Sequence, residues 1–497
     1  MKIAVPKTSG RKGRYHLCHD QAAGPPGETR IMIEGKSAAG AAPPGERTAT
    51  YVPRLGLFSG TMMVVGGIIG SGIFLNPAIV AARARSAELT LAVWVLGGVI
   101  ALIGALVYAE LGARRPVAGG GYVYLRDAFG RLPAFLYAWT LLLVIATGAI
   151  AAVAVTFATY AAPLLGMGPA ARGPLAVGAI LLLSAINYVG VKPGAVTQNV
   201  LTLLKLAALA VLIIAGLLLP HPTASAAQMT PLPGGSEVLA VGAALVPVLF
   251  AFGGWQQTNF IAEELIEPER NLPRALLGGV TIVVAVYLLA NLAYLRTLGV
   301  DGLAASTAPA ADAMRALLGA PGATLIAAGI AVSTFGFLNL VILVSPRVYR
   351  AMAADGLFFP SLARLHPRYR TPTAAILFQG GWAIILTLTG RYGDLLDYVV
   401  FGDWIFFAAT AATLFYFRAR ERRGLERAEV RFRMPGYPVG PILFMLAALY
   451  VVTGSIASNP VNAVKGTALM AVGVPVFLFW DGRRKTERAE RADTTEK

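Results

Sequence analysis

GGIIGSGIF, residues 66 to 74, decides how this chain folds. It lies inside an uncharged run from Leu57 to Ala81. As an ideal helix that run is roughly 37 Å long at ~1.5 Å per residue, enough to cross a bilayer core about 30 Å thick. Its middle nevertheless holds Gly66, Gly67, Gly70, Ser71 and Gly72. Each glycine costs ~1 kcal/mol against alanine in a helix interior. Two readings follow. Either the helix is built to break, or the small residues let neighbouring helices approach closely. A break at bilayer depth is tolerated only where protein or a watery cavity surrounds it. Its freed N–H and C=O groups would then be ready contacts for a carboxylate and an ammonium.

The whole chain is of the class that could hold such a break. Of its 497 residues 56% are hydrophobic and 14% charged, where a soluble domain carries about 25% charged residues. We expect an all-α integral membrane protein with twelve transmembrane helices. They fall at approximately 57–81, 89–109, 133–162, 173–191, 198–219, 238–265, 275–295, 321–345, 372–390, 397–417, 439–457 and 463–480. With the N-terminus in the cytoplasm, 34 of the 42 lysines and arginines fall inside and 7 outside. That bias predicts both termini in the cytoplasm. The net charge of +16 is thus a topology signal with affinity for anionic lipid headgroups, and no nucleic-acid partner is expected.

Residues 1–50 are rich in Gly, Pro, Ala and basic residues and have no signal-peptide h-region. They are expected to be a disordered cytoplasmic N-tail, outside the permease domain at 51–482, with a cytoplasmic C-tail at 483–497. Cys18 is the only cysteine, so no intrachain disulfide forms. Four histidines and no His/Glu pair in the spans give no reason to expect a metal, a cofactor or an enzyme. No filter motif speaks for a channel.

A second interruption lies five spans after the first. LVPVLFAFGGWQQTNFIAEEL carries Pro247, then Gly253-Gly254, then Gln256, Gln257 and Asn259. Paired broken segments point to a transporter made of inverted repeats. Here the repeats would be about 55–220 and about 238–420, five spans each with helices 1 and 6 broken, followed by two extra helices at about 439–480. Two ionisable residues sit inside spans away from their ends, Lys205 and Asp403. A lysine at a helix centre costs about 2.5–3.5 kcal/mol on insertion scales. Either Lys205 snorkels to the inner surface or it has a buried task. The glycine-rich stretch around Gly119-Gly120-Gly121, with Tyr122 and Tyr124, reads as a loop or an inner gate.

These strings resemble the amino acid–polyamine–organocation superfamily, and within it the L-type amino acid transporters of prokaryotic type. The likeness rests on VVGGIIGSGIF, YAELGARRPVAGGGYVYL, QNVLTLLKLAAL, FAFGGWQQTNFIAEEL with ERNLPRA, and MAADGLFFPSLARLHP, in family order. It implies sodium-independent transport of amino acids across the cell membrane by alternating access, often as exchange. It also implies a substrate carboxylate at Gly70-Ser71-Gly72, and an amino group near the carbonyls of Ile68, Ile69 and Phe250. The Phe250 ring would cover the occupied site, and Gly253 and Gln256 would meet the side chain. Lys205 matches the family's span-five lysine, and a cation site between the first and eighth spans would be replaced by its ammonium, near Ser333 or Thr334. The eukaryotic members join a heavy subunit through a cysteine between spans three and four. This chain has none there, so no disulfide-linked partner is expected.

Asp403, flanked by Phe401 and Trp404, would stand at the side-chain end of the pocket, pairing with a polar or cationic substrate, taking a proton, or bonding a neighbouring helix. Which amino acid is carried, exchange or net uptake, proton coupling and the oligomeric state stay open at this level. An amino acid sensor, or a proton-coupled carrier of another small amine or polyamine, are the alternatives.

Overall fold

The computed structural model describes residues 50–220, 237–389, 392–426, 430–458 and 460–495; the side chains of 237–239, 392–401, 458 and 487–495 are not described. The expectations for residues 1–49, Cys18 and the Phe401 side chain lie outside that set.

The described chain is helical. The first span is broken: α1 (Leu57–Ile68) and α2 (Gly72–Ala84) are bent by 43° across Ile69–Ser71. Then come α3 (Ala87–Arg114), the short α4 (Gly121–Phe129), α5 (Arg131–Thr140) and α6 (Ala146–Leu164). A π-turn, Leu141–Ile145, joins α5 to α6. Next are α7 (Arg172–Val189), α8 (Val191–Leu218) and α9 (Glu237–Ala251), which gives way to a 3₁₀ segment, Trp255–Glu264. The rest are α10 (Pro268–Ala305), α11 (Pro309–Val344), α12 (Pro346–Ala354), α13 (Thr373–Thr389), α14 (Tyr392–Arg422), α15 (Val439–Ser458) and α16 (Pro460–Thr495). Proline opens α10, α11 and α12, where its missing N–H has no helical partner to lose. Ser86 caps α3 by accepting from the Leu89 amide at 3.0 Å.

Among the described residues nine helices are long and apolar enough to cross a membrane, and the bent α1–α2 pair makes a tenth. The expected twelve exceeds that count. The helix α13 has only 17 residues, and α14 mixes its apolar residues with Asp403 and a run of arginines. The stretch expected as a C-terminal tail continues α16.

The basic loops are tied down. Glu110, buried on α3, accepts from Arg114 at 2.7 Å, from Arg418 of α14 and from the Met434 amide at 2.8 Å. Glu264, at the end of the 3₁₀ segment, pairs with the buried Arg347 of α12 at 2.8 Å. The chain before α1 crosses the same region, because the Arg54 and Leu55 amides donate to the Glu264 carbonyl at 2.8 and 3.0 Å. Glu110 thus has several donors, as a buried carboxylate requires, while the Glu264 carboxylate is met by the Arg347 guanidinium. The glycine-rich stretch before α4 packs under the 3₁₀ segment. The Gly119 amide donates to the Phe260 carbonyl at 3.0 Å, and Tyr124 donates to Asn259 at 3.0 Å. The Tyr122 hydroxyl donates to Asp355 at 2.7 Å. Burial and that carboxylate push the Tyr122 phenol well above its ordinary range.

Candidate functional site

The helix α1 stops because Ile69 leaves helical geometry, with φ −76° and ψ 89°. Its carbonyl then has no helical donor to meet. Lys205 of α8 fills the gap. Its Nζ donates to the carbonyls of Ile69 at 2.7 Å, Gly66 at 3.1 Å and Ser333 at 3.1 Å. An ammonium has three protons, and all three are used. The side chain is fully buried, so it does not snorkel. The Ser333 hydroxyl lies 3.2 Å from the Ile69 oxygen and 3.0 Å from that of Gly70. Thr334 turns away; its hydroxyl bonds back to the Ile330 and Ala331 carbonyls of its own helix. Of the two polar residues expected beside Lys205, Ser333 alone reaches the break.

A polar chain continues from this point. Thr202 of α8 donates to the Met62 carbonyl, and Gln198 donates to Thr202 at 3.2 Å. Asn339 of α11 donates to Gln198 at 3.0 Å and accepts from Asn187 of α7 at 3.0 Å. Buried side-chain networks of this kind hold helices in one register when their members are satisfied.

The second break meets the first. Gly254, at φ 106°, adopts a backbone that glycine enters freely and other residues do not. A Cβ there would stand 2.2 Å from the Gly67 carbonyl oxygen, and one on Gly67 would stand 2.8 Å from the Gly254 oxygen. Gln256 folds back to cap the break, its Oε1 accepting from the Gly254 amide at 3.0 Å. Tyr287 of α10 links the two breaks, with its hydroxyl 3.0 Å from the Ile68 carbonyl oxygen and 3.2 Å from that of Ala251. Tyr294, two turns on, donates to the Ile73 carbonyl at 3.3 Å. Neither tyrosine stands out in the sequence, because a tyrosine in an apolar span carries no pattern that gives its partner.

Between the breaks lies a cavity of about 110 Å³, several times the ~10–15 Å³ that one water needs. Its walls include Ile68, Gly70, Ser71 and Gly72 from the first break, and Phe250, Gly253, Gln256 and Gln257 from the second. The π-turn adds Leu141 and Ile145, and α14 adds Asp403, Trp404 and Phe407. A π-turn shifts the residues that follow it relative to a regular helix and recurs at functional sites; nothing in the run LLLVI announces it. Of the expected residues Ile69, Lys205, Ser333 and Thr334 do not line the cavity. They stand behind the break, with Lys205 and Ser333 bracing its carbonyls.

The carbonyls are not equally open. The Ile69 oxygen already has the Lys205 and Ser333 donors, and the Ile68 oxygen has the Gly70 amide at 2.9 Å as well as Tyr287. With Tyr287 donating to the nearer of its two oxygens the Ile68 carbonyl has both lone pairs engaged, whereas the single Ser333 proton lies nearer the Gly70 oxygen and leaves Lys205 as the principal donor to Ile69. The Phe250 oxygen accepts from the Gly253 amide at 3.1 Å and keeps one lone pair.

A family model described as amino acid permease matches residues 55–479. The serine/threonine exchanger SteT of Bacillus subtilis is 33% identical over 433 residues, covering 86% of this chain and 97% of its own. The human large neutral amino acids transporter small subunit 2 is 33% identical over 87% of this chain and 81% of its own. The human b(0,+)-type amino acid transporter 1 is also 33% identical, over 87% of this chain and 88% of its own.

Proposed function

The chain belongs to the amino acid permease family, and from that membership we propose that the cavity between its two broken helices is the amino acid site of a sodium-independent transporter. It is an amino acid permease or exchanger and a multi-pass membrane protein. The observation that carries the site reading is a single cavity walled by both breaks.

In this reading the amides at the start of α2 receive the substrate carboxylate, since the first N–H groups of a helix have no helical acceptor. The ammonium uses the open lone pair of the Phe250 carbonyl. To reach Ile68 it must displace a donor already there, and Ile69 stands behind the break, outside the cavity wall. Phe250, 39% exposed, closes over the occupied site, while Gly253 and Gln256 bound the side-chain space. Lys205 and Ser333 hold the break in place of a metal cation. Alternating access then moves the broken segments against the helices that brace them.

Counting α13 and α14 with the ten spans brings the total to twelve, arranged as inverted repeats at about 55–220 and about 238–420 plus two extra helices at about 439–480. Residues 51–482 make the permease domain, flanked by cytoplasmic tails, in the cell membrane. The chain works without a disulfide-linked heavy subunit, its sole cysteine being Cys18.

The test is uptake of a panel of labelled amino acids by the purified chain in proteoliposomes. Sodium-free buffer is compared with sodium buffer, with and without internal amino acid. Saturable, sodium-independent flux is expected. Binding without flux would make the chain a sensor, and strict sodium dependence would remove the role given to Lys205.

A further inference from the structure

The cavity contains a carboxylate that no described residue neutralises. Asp403 projects from α14 into the wall. Among the described residues no Lys, Arg or His lines that cavity and Asp403 has no hydrogen-bond or ion-pair partner. Among the described residues, the titratable groups that feel its charge are the phenols of Tyr108 on α3 and Tyr137 on α5. Both are neutral in ordinary buffer. A second acceptor shares the wall: Gln257 lines the cavity, and its Oε1 is buried without a donor. The aromatic rings of Trp404 and Phe407 stand beside them. The amide-rich start of α2 lies in the same cavity.

We propose that Asp403 is the residue that selects the substrate's side chain, and that it selects amino acids whose side chain ends in a cation, an ammonium or a guanidinium. This rests on the cavity being the amino acid site. A charge held in a largely apolar cavity wall without a partner is costly, and a ligand that brings the opposite charge removes the cost. A side-chain cation also brings several donors, enough for both Asp403 and the unpartnered Gln257 oxygen. A proton on Asp403 would neutralise the charge and leave the Gln257 oxygen as it is. Two spans that are far apart in the chain therefore read two ends of one ligand: the α1–α2 break takes the backbone groups, and α14 takes the side chain.

The experiment pairs near-isosteric ligands that differ in charge. Arginine is compared with citrulline, and lysine with norleucine, by ligand-induced thermal shift and by competition for uptake in proteoliposomes. The purified full chain, Asp403→Asn and Asp403→Glu are compared, with serine and leucine as neutral controls. We expect the wild type to prefer each cationic member by about tenfold or more, as for a desolvated charge pair. That ratio falls to about one in Asp403→Asn and is largely kept in Asp403→Glu. Equal or better binding of citrulline and norleucine by the wild type would overturn the proposal. So would a ratio that survives in Asp403→Asn, or a pH-dependent uptake of neutral substrate that Asp403→Asn makes flat. Should Asp403→Asn fail to fold, the wild-type ratios alone decide. Binding of the neutral controls with no cationic preference sinks this inference and leaves the amino acid site standing. Binding of no amino acid at all sinks both.

Discussion

Gly67 and Gly254 meet backbone to backbone, so close that a Cβ on Gly254 would lie 2.2 Å from the Gly67 carbonyl oxygen. The two broken helices therefore touch at their glycines, and the cavity opens beside that contact. Gly254→Ala suffers twice, from the collision and from the φ of 106°. Backbone strain of this kind costs about 1–3 kcal/mol. A clear loss of thermal stability is expected, with transport lost alongside; wild-type melting would contradict the contact.

The glycines of the first break divide by what faces them. A Cβ on Gly72 would meet the Ala251 Cα and Cβ at 3.0 Å, whereas one on Gly70 would meet only the Phe337 ring, at 3.6 Å. Gly72→Val is thus expected to damage the packing of α2 on α9 and lower the melting temperature. Gly70→Ala is expected to fold normally and lose substrate affinity by about tenfold, or ~1.4 kcal/mol. Melting curves with uptake kinetics separate the two. Equal melting temperatures for both variants would count against this division.

Lys205, Ser333 and Thr334 form a graded series. Lys205→Ala strips donors from three carbonyls, and each buried acceptor left alone costs about 1–3 kcal/mol. Transport should be almost abolished in sodium-free and sodium buffers alike. Ser333→Ala removes one hydroxyl, worth about 0.5–1.5 kcal/mol, with a partial loss. Thr334→Ala should transport almost as the wild type does, because its hydroxyl bonds only its own helix. Uptake rates in the order Thr334→Ala, Ser333→Ala, Lys205→Ala would support the brace, and a Thr334→Ala as inactive as Lys205→Ala would refute it.

Tyr287→Phe removes the hydroxyl shared by the Ile68 and Ala251 carbonyls and leaves the ring in its aromatic cluster with Trp94 and Phe252. The cost should be about 1 kcal/mol of stability, with turnover slowed several-fold because the two breaks are no longer tied. Unchanged turnover in proteoliposomes would confine Tyr287 to packing.

Phe250→Ala should lower turnover more than it lowers the amount of folded protein, since the ring is partly exposed and lines the cavity. Phe250→Trp should keep part of the activity. Full transport by the alanine variant, measured against its level in the membrane, would remove the lid.

The sequence by itself determined the helical class, the membrane setting, the family and the positions of both breaks. These are written in local features: long apolar runs, the imbalance of basic residues, and glycines where a span should be uninterrupted. It also placed Lys205 inside a span and Asp403 in an apolar helix, because a charge among apolar residues is visible without coordinates.

Only the tertiary structure decided what these residues face. Ser333 and Thr334 are adjacent and equally polar, yet about 100° apart around a helix, so one reaches the break and the other bonds its own backbone. Gly70 and Gly72 look alike in the motif and both line the cavity, and only the position of Ala251, far along the chain, packs Gly72 against a neighbouring helix. Tyr287 has nothing around it in sequence to mark a bridge between Ile68 and Ala251. The π-turn at Leu141–Ile145 is invisible in a uniformly apolar run. Which lone pairs are spent, and which carboxylate lacks a cation, depends on partners distant in the chain, and those are set by packing.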